Sequence, residues 1–255
     1  SSSSSSSSAA QEVNNFLVEK VIQFVVPLFS TASPTQAMGL ANVITQTGES
    51  HISMVLEGSN RDVANALLSA VLSCSLHPNR TVSACTSDFW YILSGAITRS
   101  DEQAEHKLPG STTAIQPAVV EALTPYFLHL IKALKQVIRH PDSWDTMSKE
   151  AREDAKRHRY FAAETLLDAA SVVGAANTLH TVAAGMDQDF ANYTQDPVNK
   201  WHALEASLYC IRAVAKRVPV SENTVIPTVM RGVLSLQHGV HLRYTATLVI
   251  GRYSG

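Results

Sequence analysis

The stretch from Lys200 to Pro219 reads KWHALEASLYCIRAVAKRVP, and its apolar positions recur at helical spacing. Trp201, Ala203, Leu204, Leu208, Ile211, Val214 and Val218 nevertheless point several ways around the axis. His202, Glu205, Tyr209, Arg212 and Lys216 fall mostly on one polar stripe. Residues 160 to 173 follow the same rule, with Glu164, Thr165, Asp168 and Ser171 as the polar positions. A helix that is apolar over most of its circumference is packed on several sides.

The same spacing predicts helices along the rest of the chain. Gln11 to Thr31 and Thr35 to Leu56 form a first pair, the second broken near Gly48. Asp62 to Leu76, Val82 to Thr98 and Pro117 to Arg139 follow. His77-Pro78 and His140-Pro141 close two of these, because a residue before proline is pushed out of helical space. A charged stretch, EAREDAKRHR, leads into Tyr160 to Val173. Asn177 to Tyr193, Trp201 to Val218, Thr224 to Leu236 and His241 to Ser254 complete the series. Alternating runs with hairpin punctuation are missing, so the chain is expected to be all-α.

The helices rhyme. An aromatic, an alanine, a glutamate, a leucine and a valine recur from Tyr160, Ala162, Glu164, Leu167 and Val173 to Trp201, Ala203, Glu205, Leu208 and Val214. Tyr160 and Trp201 stand 41 positions apart, whereas Asn177 and Asn223 in the following helices stand 46 apart. The extra residues fall within 215 to 222, and a weaker third unit begins near Arg243-Tyr244. Two-helix units of this length point to a right-handed α-α superhelix of the HEAT or armadillo type. In such a solenoid each helix touches its partner and both neighbouring units, leaving a narrow stripe for water. Residues 11 to 255 are expected to hold about five or six pairs of this period, truncated at both ends. Trp90, Tyr160, Leu167, Trp201 and Leu208 are the expected repeat anchors. The opening SSSSSSSS, within residues 1 to 10, has nothing to bury and is expected to be disordered.

Composition narrows the function classes. Of the 255 residues, 45% are hydrophobic and 16% charged, with a net charge of -2. Neither sign dominates, so no nucleic-acid groove or basic membrane surface is indicated. No apolar run approaches the roughly 18 residues of a membrane span. Three unpaired cysteines, Cys74, Cys85 and Cys210, argue for a reducing compartment. Asn79-Arg80-Thr81 and Asn192-Tyr193-Thr194 match the glycosylation pattern by chance.

Candidate chemistry is sparse. Glu164 and Asp168 share a helix face, as a solvated stripe does. His238 and His241 flank a glycine turn with no third ligand near in sequence. Lys156-Arg157-His158-Arg159 is preceded by Glu150, Glu153 and Asp154, and reads as a self-paired helix entry with Glu153 opposite Arg157. Asp101, Glu102 and Glu105, in the polar loop Ser100 to Thr113, are the candidate partner contact. Phosphate-binding, dinucleotide and nucleophile-elbow motifs are not found. Nothing asks for a catalytic residue, a metal or a cofactor, and no enzyme is expected.

One resemblance is specific. His77-Pro78 with Phe89-Trp90-Tyr91-Ile92-Leu93 resembles a helix pair in the middle of the importin-beta superfamily, on its transportin-SR branch. Arg159-Tyr160, Leu166-Leu167-Asp168 and Val173-Gly174 continue the likeness. So do Trp201, Glu205-Ala206, Leu208-Tyr209-Cys210-Ile211-Arg212-Ala213 and Leu248-Val249-Ile250-Gly251-Arg252-Tyr253-Ser254, with Thr47-Gly48-Glu49 upstream. The similarity runs from about Val43 to the end, and the poly-Ser run matches nothing in it. The resemblance implies a HEAT-repeat receptor that shuttles between cytoplasm and nucleus. Its partners would be Ran-GTP, protein cargo (Arg/Ser-rich splicing factors on this branch) and Phe-Gly nucleoporins. Neither the family's amino-terminal arch nor its arginine-rich cargo helix is matched here. A HEAT scaffold or adaptor unrelated to transport is the alternative, and an all-helical enzyme a third.

Overall fold

A computed structural model describes the backbone of residues 3–57, 60–98, 117–237 and 239–253, with side chains from residue 12 onward. Every regular element among them is helical, and they divide into two compact units that meet in sequence at Tyr126 and Phe127. No helix of the described residues is long and apolar enough to cross a membrane.

The first unit opens with α1 (Ser3–Lys20), a π-helical turn (Val21–Val25) and α2 (Val26–Phe29). Helix α1 includes Ser3 to Ala10, where disorder was expected. Extending a helix already formed adds one hydrogen bond per residue fixed, without the cost of a new nucleus. Helix α3 (Pro34–Ser50) starts where Pro34 occupies the first helical position, and the Ser33 amide donates to Gln36 Oε1 at 3.0 Å. Then come α4 (Ile52–Glu57), α5 (Arg61–Ser75), α6 (Arg80–Ala84) and α7 (Ser87–Thr98). The single helix expected from Val82 to Thr98 is thus two, separated by Cys85 and Thr86. Asn79 begins α6 by accepting the Thr81 N–H at 2.9 Å, so its side chain serves as a cap.

Helix α3 packs on α5, α6 and α7. Trp90 is fully buried, and its indole N–H donates to Ser75 Oγ at 2.9 Å. Ser75 Oγ also lies 2.9 Å from Thr86 Oγ1, and Ser83 Oγ donates to the Ser75 carbonyl at 2.8 Å. The large side chain is thereby buried with its polar edge satisfied. Gly48 lets α3 approach α7: a Cβ there would stand 2.8 Å from the buried Phe89 ring. Gly48→Ala is therefore expected to destabilise the protein by about 1–3 kcal/mol through overpacking, read as a lower urea midpoint with an unchanged slope. An unaltered midpoint would show that Phe89 is free to retreat.

The second unit takes the later part of α8 (Pro117–Ile138), then a 3₁₀ turn (Trp144–Thr146), α9 (Lys149–Val173), α10 (Ala175–Ala183) and α11 (Met186–Gln195). It continues with α12 (Trp201–Val214), a second 3₁₀ turn (Ala215–Arg217), α13 (Val225–Ser235) and α14 (Val240–Tyr253). The charged stretch before Tyr160 is the first half of α9, begun by Ser148 accepting the Ala151 N–H at 3.2 Å. Gly174 and Gly185, at φ +82° and +81°, turn the chain out of α9 and into α11. The latter turn divides the helix expected from Asn177 to Tyr193.

Lys135 closes α10, donating to the carbonyls of Val182 at 3.0 Å and Ala184 at 3.3 Å. At the centre lies α12, with α9, α10, α11 and α14 packed around it. That explains its apolar circumference. It also corrects the expected solvent stripe, since His202 and Glu205 are 6% and 2% exposed.

Glu222 organises the start of α13. Its carboxylate accepts the N–H groups of Thr224, Val225 and Ile226 at 2.7–3.0 Å, and the Thr224 hydroxyl at 2.7 Å. Partial burial alone would raise its carboxyl, but these hydrogen bonds bring it down to about 2. The folded value lies below the unfolded one, so the stabilisation is complete above the ordinary value of 4.5 and is lost as pH falls from there toward 2. Glu222→Ala is expected to cost about 1 kcal/mol at neutral pH, as for other lost caps. Denaturation at pH 7 and pH 3 checks this; a cost that does not shrink in acid would refute the capping role.

Candidate functional site

The least generic chemistry among the described residues is a charged junction inside the second unit. Arg159, on α9, is 6% exposed and lays its guanidinium fork on Glu205 of α12. Arg159 Nη2 donates to Glu205 Oε1 and Oε2 at 2.8 and 2.7 Å. Thr245, on α14, donates its hydroxyl to Oε1 at 2.7 Å. Arg159 Nη1 donates to Nε2 of His140, just past the end of α8, and that Nε2 lies 3.8 Å from Glu205 Oε2. One carboxylate on α12 thus joins residues from α9 and α14, with the end of α8 attached through Arg159. Tyr209 completes the wall, with the guanidinium carbons of Arg159 and Arg212 at 4.2 and 5.0 Å from its ring centroid. Burial raises the Tyr209 phenol, so it stays protonated.

Aromatic rings close one side of the junction. Trp201 is 1% exposed and stacks on His202 at 4.0 Å and His241 at 4.4 Å. The His140 ring lies 4.0 Å from Trp144 and 5.4 Å from Trp201. His241 Nε2 is 3.3 Å from Asp145. Burial, then the nearby Arg139 charge, hold His202 below the usual imidazole range, so it is neutral at neutral pH.

The residues singled out in the sequence have mixed fates. Trp90, Trp201 and Leu208 are buried and Leu167 is partly so. Tyr160 is 59% exposed and touches the ring of its neighbour Phe161, so it does not serve as an anchor. Its rhyme with Trp201 is one of sequence: α12 is enclosed where Trp201 sits, and Tyr160 lies on the outward face of α9. Glu205 is buried while its counterpart Glu164 is exposed, for the same reason. The basic run is self-paired as expected, although through i,i+3 contacts: Lys156 to Glu153 at 2.7 Å and Arg157 to Asp154 at 3.6 Å. Arg159 leaves that run for the interior, a step signalled by its place in line with Ala155 and Ala162. Asp101, Glu102 and Glu105 lie outside the described residues, as does His238.

Catalytic chemistry finds little support. Among the described residues no group of three His, Cys, Asp or Glu is placed to hold a metal. Burial pushes the Cys74 and Cys210 thiols up to about 12 and raises that of Cys85, disfavouring the nucleophilic thiolate. A groove in the first unit is lined by Val55, Ala64, Leu68, Val119, Ala122 and Leu123, with Arg61 and Asn65 as its polar residues. It offers no acid and base converging on one point. The outward faces instead carry aromatic residues. Phe16 and Phe24 are each more than half exposed, with the Lys20 ammonium 5.1 and 5.4 Å from their ring centroids, and Phe161 is 49% exposed. Surfaces of this kind suit protein contacts.

Stacked helices around an enclosed central helix define an all-α helical-repeat superhelix. Comparison with known proteins agrees and goes further. Residues 33–140 match the family model described as the second TPR domain of transportin-3/importin-13. Over 225 residues the chain is 24% identical to Transportin MOS14 of Arabidopsis thaliana, covering 88% of this chain and 23% of that protein. It is also 24% identical over 216 residues to the mRNA transport regulator MTR10 of Saccharomyces cerevisiae, covering 85% and 20%. The solved structure of importin-13 in its cytosolic state superposes with a TM-score of 0.80 over 95% of this chain and 29% of that one, at 19% identity. The chain is similar to the transportin and importin-13 proteins named here. It spans less than a third of the length of each of these relatives.

Proposed function

We propose that the chain is the central part of a nuclear transport receptor that carries protein cargo through the pore under Ran-GTP control. Arg/Ser-rich splicing factors are the cargo class put forward. The observation that supports this most is the collinear similarity to named transport proteins over 85–88% of the chain. A helical-repeat array suits the task physically. It presents a large surface, its units bend against one another, and binding one partner is coupled to losing another through differential affinity alone. Phe-Gly nucleoporins are the proposed partners during passage, and the receptor shuttles between cytoplasm and nucleus.

The test is capture from nuclear and cytoplasmic extracts on the complete receptor chain, with Ran locked in its GTP or GDP form. Selective retention of Ran-GTP, with Arg/Ser-rich proteins released as it binds, is the expected result. Retention of neither form would overturn the reading and leave a helical-repeat scaffold to be defined by whatever proteins were captured.

A further inference from the structure

The junction around Glu205 has a counterpart two turns further along the same helices, and its charge is different. Helices α12 and α14 run parallel: Thr245 reaches Glu205, and the Tyr253 hydroxyl donates to the Ile211 carbonyl at 2.9 Å. The steps from 205 to 212 and from 245 to 252 each make close to two turns, so Arg212 repeats the direction of Glu205 and Arg252 that of Thr245. At the first level a carboxylate is held by an arginine and a hydroxyl. At the second, α12 and α14 each bring an arginine, and the α9 residue two turns beyond Arg159 is the buried, apolar Leu166.

Two more cations adjoin this pair. Lys216 continues the stripe of Tyr209 and Arg212 at helical spacing, and Arg217 follows it in the 3₁₀ turn that prolongs α12. Lys216, Arg217 and Arg252 are exposed, and Arg212 is half-buried against the Tyr209 ring, its guanidinium carbon 5.0 Å from the centroid. No carboxylate of the described residues forms an ion pair with any of the four. The sequence from Trp201 onward holds only two acids, Glu205 and Glu222, against six lysines and arginines at 212, 216, 217, 231, 243 and 252. Both acids are engaged: Glu205 holds Arg159 and Thr245, and Glu222 holds the amides at the start of α13. In a chain whose net charge is -2, this end of the two helices is therefore a confined positive spot.

We propose that this end of α12 and α14 is a docking surface for an acidic segment of a protein partner, whose carboxylates pair with Arg212 and Arg252 and continue along Lys216 and Arg217. Stacking on Tyr209 holds the Arg212 fork in place before binding, so less order has to be imposed when a carboxylate arrives. A nucleic acid fits the spot less well. Tyr209, its one aromatic ring, already carries the guanidinium groups of Arg159 and Arg212 and gives a base nowhere to stack. The negative charge of the rest of the chain also opposes a long polyanion, whereas a short run of carboxylates stays within the positive spot.

The test is the fluorescence anisotropy of a short labelled peptide of alternating Glu and Gly, titrated with the protein at low and at raised salt. The peptide is expected to bind, and to bind more weakly as salt rises. R212Q and R252Q are each expected to weaken it by about tenfold, the loss of one hydrogen-bonded charge pair. K200Q, at the opposite end of α12, should leave it unchanged. The proposal is overturned if the peptide does not bind at low salt, if K200Q weakens it as much as the arginine variants do, or if R252Q binds it undiminished. Should R212Q fail to fold, R252Q decides, since that side chain is exposed. A single-stranded oligonucleotide that binds more tightly than the peptide, and loses affinity in the same variants, would overturn the choice of partner. Ran and cargo take no part in the assay, so its failure is distinct from a failure of the transport reading.

Discussion

Replacing Glu205 by alanine is expected to destabilise the protein by about 3–5 kcal/mol, the range for breaking a buried ion pair by removing one partner. The size follows from what is left behind. Arg159 is 6% exposed, and both hydrogen bonds from its Nη2 end on Glu205. Without the carboxylate, a guanidinium remains inside the second unit with no counter-charge, and the Thr245 hydroxyl loses its acceptor. Glu205→Gln retains one oxygen and the shape, so it should cost less than alanine, and Arg159→Met together with Glu205→Leu less again. Urea unfolding of the three variants checks the order. A Glu205→Ala cost below about 1 kcal/mol, the range of surface substitutions, would mean that the pair is not buried in solution.

Trp201→Ala is the second large effect, also about 3–5 kcal/mol, for a different reason. The indole is 1% exposed at the start of α12 and is flanked by the rings of His202, His241 and His140. Its removal leaves a cavity among groups that cannot collapse freely, because each is tied elsewhere: His140 to Arg159, His241 to Asp145. Trp201→Phe keeps much of the volume and should cost markedly less. Because Trp144 shares the His140 ring, its fluorescence should shift in the alanine variant while the protein is still folded. A change below about 1 kcal/mol would place this helix start on the surface.

Helix content and packing class were legible because apolar spacing records which sides of a helix are covered. The wide apolar circumference of α12 implies several neighbours, and four are present. What the pattern does not record is the fate of a polar residue once all faces are covered. Glu205 and His202 lie on the expected solvent stripe, yet both are buried: Arg159 and Thr245 hydrogen-bond the Glu205 carboxylate, and His202 stacks on the Trp201 ring. The partner of Glu205 lies 46 positions away, inside a run of bases that reads as surface. Tyr160 failed as an anchor for the converse reason: repeat symmetry predicts equivalent positions in the chain, whereas burial depends on which neighbours stand beside each copy. The breaks at Cys85 and Gly185 were not visible in the spacing, since a turn of a few residues shifts the phase only slightly.

The Tyr193 hydroxyl bears on how such an array tolerates change in length. From α11 it donates to the Gln237 carbonyl at 3.0 Å and accepts the Gly239 N–H at 2.8 Å, clasping both sides of the link between α13 and α14. That link is measured against a fixed point, so an insertion there would break two hydrogen bonds and displace a buried ring. The link between α12 and α13 has no comparable clasp among the hydrogen bonds described, and Val220 at its crest is fully exposed. It is also where the spacing between rhyming helices grows from 41 to 46 residues. Length in this unit is thus free to vary at one joint and rationed at the next.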